Sequence, residues 1–337
     1  MDLIAVLADA VRAAVGPQAA VFALAAVGLN LQFGYAGLMN FGQAGFMLVG
    51  GYGMAVSVTR FGAPLWLGVL VGLLMGFVLA LLLGAPTLRL RGDYLAIATI
   101  AAAEILRLLF RAEAAAPLTY GVFGVQQFAA DFYAANPFGA GDYGIGRFAL
   151  SGGQLWVALV GWLLVAAAVG LTALLVRSPW GRVLRAVRND EEVVRALGKN
   201  TYLYKLQALV LGGAMAAAAG MVLALASQAI TPDTYASDLS FYAFAVLLLG
   251  GLGRVLGPVV GAIIFWLLLA ASDSLLRQAI TGGVISDEVL STSDVGPIRL
   301  ALVGIALILF MYFRAGGLLS RRAPTPTAKA TVKAEAE

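Results

Sequence analysis

Residues 64–85 form an apolar run without one charged side chain, and further largely apolar stretches recur at 18–32, 94–110, 154–176, 206–230 and 298–313. A helix rises 1.5 Å per residue, so about 20 such residues cross a hydrocarbon core roughly 30 Å thick. In lipid every backbone N–H and C=O must find its partner within the protein, which leaves helices as the solution for runs of this length. The chain therefore reads as an all-α polytopic membrane protein. Composition agrees: 61% of the 337 residues are hydrophobic and 12% are charged, whereas soluble domains carry about 25% charged residues. Cysteine and histidine are both absent, which excludes disulfides, thiol nucleophiles, imidazole acid–base chemistry and the usual zinc sites. The opening residues MDLIAVLADAVRAAVGP lack a basic leading region and a clear small-residue cleavage site, so no removable signal peptide is expected.

Residues 1–16 read as a short amphipathic helix ended by Gly16 and Pro17, because Asp2, Asp9 and Arg12 are too closely spaced for a membrane span. Residues 17–320 then make a single membrane domain. Its second crossing reaches about residue 59. Residues 239–272 are too long for one ordinary crossing and contain GGLGRVLGP, which predicts two segments broken at 250–258. Gly250, Gly251, Gly253 and Gly257 permit a tight reversal there, with Arg254 and Pro258 in the break. Broken helices at this depth are tolerated where protein or a cavity surrounds them. The count is about eight to nine transmembrane or half-spanning helices. Residues 111–153 form a Gly- and aromatic-rich loop, 272–297 a polar one with Asp273, Asp287, Glu288 and Asp294, and 321–337 a tail of disordered composition. Bases concentrate at 177–205, at Arg89 and Arg91, and at Arg321 and Arg322, which places those segments on the cytoplasmic side and the two acidic loops outside. This bookkeeping works only if 239–272 goes in and comes back.

Residues 177–204, RSPWGRVLRAVRNDEEVVRALGKNTYLY, are the one sizeable charged island between long apolar segments. Ser178 and Pro179 resemble an N-cap and N1, Asn189 with Glu192 resembles a capping box, and Gly198 fits a C-cap, so two short helices are predicted. The second, near 190–197, is too short to persist alone in water. Val183, Val187, Val194 and Leu197 fall near one face of the pair, as in a helix that docks into a partner's groove. Charge and periodicity alone favour a basic loop resting on anionic lipid headgroups over a docking element.

Two intramembrane motifs carry polar chemistry. GLNLQFGYAGLMNFGQAGF, residues 28–46, holds Asn30, Gln32, Asn40 and Gln43 among recurring glycines. Such amides in hydrocarbon must face the bundle or a wet pathway, and close helix packing with amide cross-links is the competing reading. In LRLRGDYLAIATIAAAEILRLLF, residues 88–110, Glu104 and Arg107 share one helix face. The pair offers both signs of charge to a zwitterion, or the two satisfy each other.

The stretch GRVLRAVRNDEEVVRALGKNTYLYKLQALVLGGAMAAAAGMVLA is similar to the cytoplasmic loop and following helix of LivM-type permease subunits of branched-chain amino acid ABC importers. Residues 28–46, 88–110 and 247–263 resemble the same family. The resemblance implies that 177–205 carries the coupling helix that meets the ATPase, with Gly181, Arg182, Arg185, Arg188, Glu192, Ala196, Leu197 and Gly198 matching, while Val193, Val194 and Arg195 depart from the family's small residues and acid. It further implies that Asn30, Tyr35, Asn40, Gln43, Glu104 and Arg107 lie near the translocation path, with Gln43 where a histidine is common. Implied partners are two cytoplasmic ABC ATPase subunits, a second LivH-like permease, an extracytoplasmic substrate-binding protein and membrane lipid, with no nucleic acid. No cofactor is expected on this chain, and ATP and Mg belong to the partners: the sequence nowhere contains GxxxxGK[ST]. An enzyme is disfavoured because no nucleophile, base and orienting group cluster outside the spans. A self-sufficient secondary transporter or channel is the serious rival, and permeases for urea or short amides are the rival within the family.

Overall fold

The computed structural model describes residues 2–90, 92–139, 141–144, 146–282, 295–313 and 317–318. Arg91, most of the second acidic loop (Asp287, Glu288 and Asp294 included) and the tail with Arg321 and Arg322 lie outside the described residues. In chain order the helices are α1 (Leu3–Val15), α2 (Pro17–Leu29), α3 (Gln43–Phe61), α4 (Leu65–Thr87), α5 (Gly92–Arg111), the short α6 (Ala116–Thr119) and α7 (Ala130–Ala134), α8 (Gly152–Arg177), α9 (Pro179–Asn189), α10 (Glu191–Ala196), α11 (Thr201–Ser227), α12 (Asp238–Gly250), α13 (Gly257–Thr281) and α14 (Val295–Phe313). Five of these segments are long and apolar enough to cross a membrane: Pro17–Tyr35, Leu65–Thr87, Gly152–Arg177, Thr201–Ser227 and Gly257–Thr281. Helices α3, α5, α12 and α14 complete the bundle among the described residues, α14 with a shorter apolar stretch at Val295–Leu309.

The centre of the bundle is α2, buried from Ala19 to Leu29 on every face. A helix apolar all round belongs inside other helices rather than against solvent or one neighbour. Small residues let α11 approach it: a Cβ on Gly28 would meet the Gly212 carbonyl oxygen at 2.5 Å, and one on Gly212 the Gly28 oxygen at 2.6 Å. By contrast α4, at the periphery, exposes Leu70, Leu74, Val78 and Leu82, as a lipid-facing helix does.

The reversal predicted within 239–272 lies between α12 and α13, at residues 251–256, with Gly251 at φ 109° and Gly253 at φ 68°. α13 runs past Ser272 to Thr281, so the acidic loop begins later than the composition suggests: helical propensity and contact with α1 carry the polar end of that segment. α1 is capped by Asp2, whose Oδ1 accepts from the amides of Ile4 and Ala5 at 3.1 and 3.2 Å. It packs along α13, burying Ala8, Ala10 and Ala14, and Asp9 accepts from Ser274 Oγ at 3.1 Å. Asp2 also pairs with Arg147 of the 111–153 loop, which places the N-terminal helix at the same end of the bundle as that loop. Two small antiparallel pairs order that end: β1 (Val125–Gln126) with β4 (Ala229–Ile230), and β2 (Asp142–Tyr143) with β3 (Leu150–Ser151).

Candidate functional site

α2 does not end in water. Its last turn widens into a π-helical segment, Asn30–Tyr35, and residues 36–42 run non-helically through the bundle before α3 starts. A π turn is rare and concentrates at functional positions. The backbone amides of the connecting segment and of the start of α3 are met by side chains. Phe41 N donates to Thr99 Oγ1 of α5 at 3.0 Å, Gly42 N to Asn40 Oδ1 of the same segment at 2.9 Å, and Ala44 N to Ser240 Oγ of α12 at 2.9 Å.

The four amides flagged in the sequence are fully buried here. Asn30 clamps the α12–α13 reversal with both ends of its amide: Nδ2 donates to the Arg254 carbonyl at 2.8 Å, and Oδ1 accepts from Gly253 N at 2.9 Å. Gln32 Nε2 donates to Leu209 O of α11 at 3.1 Å, and Asn40 Nδ2 to Gln32 Oε1 at 2.9 Å. Gln43 Nε2 donates to Ala25 O at 2.9 Å, but its Oε1 is buried without a partner. Tyr35 is buried at the end of the π turn. The competing reading, amide cross-linking between closely packed helices, describes these contacts in this conformation. Beside them Phe41 stacks on Phe244, ring centroids 4.1 Å apart.

The charged set lies further out. Glu104 and Arg107 do pair, with Arg107 Nε 3.0 and 3.1 Å from the two carboxylate oxygens. The pair is not closed on itself: Arg107 NH1 also reaches Asp233 Oδ1 at 2.5 Å, and Arg111 approaches the same oxygen at 3.4 Å. Asp233 sits on a 3-10 turn between α11 and α12, so the cluster ties α5 to that connection. Sequence reading missed Asp233, since an Asp after a Pro in a polar turn looks like turn chemistry. Arg107 retains 15% of its side-chain exposure and Glu104 39%.

At the opposite end of the bundle from the 111–153 loop, α8 turns into α9 at Ser178, and a Cβ on Gly181 in the first turn of α9 would meet Val176 Cα and O at 2.5 Å. Ser178 occupies the N-cap but makes no capping bond; its hydroxyl donates to Leu175 O instead. Asn189 proves to be the last residue of α9, and Asp190 caps α10, its Oδ1 accepting from Glu192 N at 2.9 Å and Val193 N at 3.1 Å. The acid wins because a break in the helix puts Asp190 in extended backbone, φ −155° and ψ 105°. Gly198 closes α10 at φ 77°, as its position after the last turn predicts.

α9 buries Gly181, Leu184 and Val187, and α10 buries Val194. Leu197, expected on that face, is 74% exposed, and Val193 is 54% exposed; with Glu192 and Ala196 they make an outward apolar-and-acidic face on α10. The buried side is held by Glu191, whose Oε1 accepts from Thr201 Oγ1 at 2.9 Å and Arg195 NH2 at 3.0 Å, while Lys205 pairs with Oε2. Burial pushes the Glu191 carboxyl up, but the bonds and charges from Lys205, Thr201 and Arg195 outweigh it, so Glu191 titrates below its ordinary value.

Arg188 turns inward. Its guanidinium donates to the Gly34 carbonyl in the π segment, and its aliphatic stem lies against Gly37. Gly34 must be glycine, since a Cβ there would sit 2.0 Å from Asn30 Oδ1 and 2.8 Å from Gly253 N. One route of contacts thus runs from α9 through Gly34 and Asn30 to the α12–α13 reversal. Arg182, Arg185 and Arg188 all remain exposed as residues, and it is the tip of Arg188 that reaches the π segment.

A coupling-like pair of short helices hung on a bundle with a broken inner core narrows the comparison. The family described as branched-chain amino acid transport system, permease component, matches residues 13–311. The chain belongs to that family. Among curated relatives, the high-affinity branched-chain amino acid transport permease LivM of Escherichia coli K12 is 30% identical over 314 residues, covering 90% of this chain and 69% of the relative. The probable LivM of Methanocaldococcus jannaschii is 25% identical over 343 residues, 89% and 90% of the two chains. The autoinducer 2 import permease LsrC of Photorhabdus laumondii is 33% identical over a shorter 116 residues, 32% of this chain and 34% of the relative. The chain is thus a multi-pass membrane permease component of a transport system.

Proposed function

We propose that this permease is one of two membrane subunits of an ATP-driven importer of branched-chain or closely related amino acids. The observation that carries the reading is α10: a six-residue helix, anchored behind by Glu191 and Lys205, with Val193 and Leu197 turned outward. A free soluble surface gains nothing from presenting two large apolar groups on so short a helix, whereas a partner's groove buries them. Two cytoplasmic ATPases supply the hydrolysis, a second LivH-like permease completes the path, and an extracytoplasmic binding protein delivers the solute.

In this reading ATP-driven closure displaces α9 and α10. Arg188 pulls on Gly34, and the Asn30 clamp passes the movement to the α12–α13 reversal, which repacks the inner half of the bundle. At the outer end Glu104, Arg107 and Asp233 offer both signs of charge to a zwitterion's ammonium and carboxylate. The buried amides Asn30, Asn40 and Gln43, with Tyr35, line the path once the packing opens. A shared stretch with an autoinducer 2 permease argues that the choice of solute rests largely with the binding protein.

The test is co-purification and uptake. Leu197→Asp is expected to release the ATPase from the purified complex and abolish ATP-dependent uptake, with insertion of the permease unchanged. Uptake by this chain alone in liposomes without ATP would replace the importer by a secondary carrier.

A further inference from the structure

Next to α10 the inner face carries an open cavity of about 690 Å³, bounded by the α4–α5 connection on one side and by α10 and the start of α11 on the other. Arg89, Arg195, Lys199 and Lys205 line it, against a single acid, Glu191. That acid is already spent: its oxygens accept from Thr201, Arg195 and Lys205. Arg89 and Lys199 have no ion-pair partner among the described residues. The basin therefore has surplus positive charge and donors without acceptors.

A second feature says what kind of anion fits. An almost wholly apolar groove of about 450 Å³ runs between α4, α8 and α11, walled by Phe77, Leu81, Leu175, Trp180, Leu206 and Val210. The two cavities lie on adjoining stretches of the same helices, with no lining residue in common. Tyr202 borders the basin and Leu206 the groove, one turn apart on α11, and Leu88 and Leu81 stand two turns apart along α4 and its end. Trp180 lies at the inner end of the groove, its indole N–H donating to Gln207 Oε1 at 2.7 Å, the placement of an aromatic side chain at a membrane–water boundary.

We propose that basin and groove together hold one phospholipid of the inner leaflet with an anionic headgroup, the phosphate between Arg89 and Lys199 and an acyl chain along Leu81, Leu206 and Val210. A soluble anion has use for the basin alone, and an ATPase side chain likewise; only a lipid fills both. The bound headgroup bridges the α4–α5 connection to the base of α10, so it sets how readily the coupling element moves. The inference takes from the proposed function only which face is inner; lipid retention is a property of the permease whether or not an ATPase is its partner.

The test uses the purified full-length chain with whatever subunits accompany it, reconstituted in phosphatidylcholine vesicles containing spin-labelled phosphatidylglycerol or spin-labelled phosphatidylcholine. A motionally restricted component selective for phosphatidylglycerol is expected. Arg89→Gln and Lys199→Gln should each lower the selectivity about fivefold, the weight of one cation near an anionic surface. Val210→Trp, which fills the groove and leaves the charges in place, should displace the restricted component too. The proposal is overturned if both lipids are held equally, if the Gln variants leave selectivity unchanged, or if inorganic phosphate at millimolar concentration removes the restricted phosphatidylglycerol as fully as the variants do. It is equally overturned if selectivity survives in both Gln variants while ATPase association is lost, because the basin is then a protein contact.

Discussion

Two sets of polar side chains sit at depth in this bundle, and they are built on opposite terms. Asn30, Gln32, Asn40 and Gln43 are neutral, wholly buried, and hydrogen-bonded mainly to backbone of other elements. Glu104, Arg107 and Asp233 are charged, partly exposed, and bonded mainly to one another. A neutral amide costs little to bury once its bonds are made, so the fold uses amides where irregular backbone must be fastened. Full charges resist complete burial, and these three keep an opening. The first set holds a broken core together; the second ties α5 to the α11–α12 connection and stays partly exposed.

The largest effect should come from cutting the fastener. Asn30→Ala strands the Gly253 N–H and the Arg254 carbonyl in the bundle, a loss on the order of 2–4 kcal/mol for two unsatisfied backbone groups. Thermal unfolding in detergent should fall sharply and yield with it; an unchanged midpoint would mean that the reversal is held elsewhere. Next is Glu104→Gln, which should lower uptake about tenfold, the weight of one charge-assisted hydrogen bond, while the complex assembles as before. Parallel losses of uptake and assembly would erase the distinction between the two sets and mark the ion cluster as structural.

Arg188→Gln sits between the sets in kind. It keeps a donor but loses the fork that reaches Gly34, so hydrolysis should continue while solute moved per ATP declines; a proportional fall in both is the contrary result. Acidification probes the anchor of α10. Because the folded Glu191 carboxyl is held below its ordinary value of 4.5, its stabilisation is complete above that pH and is lost as pH falls through the lower folded value. Glu191→Gln should flatten this acid limb in a melting series. The smallest effect belongs to Gln43→Leu. One of its two polar atoms is already unpartnered, and the carbonyl it meets belongs to a helix, so a change within about 1 kcal/mol is expected. A larger loss of uptake at unchanged stability would reveal a partner for Oε1 in another state of the cycle.

Much of this was legible along the chain. The spans, the reversal between α12 and α13, the two short helices at 179–196 and the family all follow from local pattern: apolar length, glycine and proline punctuation, and clustered arginine. The finer signals were read less well. Asn189 was taken for the cap that Asp190 provides, and Leu197 was placed on one face with Val187 and Val194, which are buried while Leu197 is exposed, because capping turns on one backbone angle and a six-residue helix has too few turns for its period to fix a face.

What the sequence determines by itself is the solvent each segment needs, since hydropathy is a property of consecutive residues and the bilayer sorts them by length. Which amide meets which carbonyl is another matter. Asn30 and Arg254 are 224 positions apart, and Arg107 and Asp233 126 apart. No pattern within a window connects such residues. Only helix packing at glycine-thin contacts brings them within 3 Å, and it alone carried the Arg188 guanidinium to the π segment while leaving Leu197 exposed.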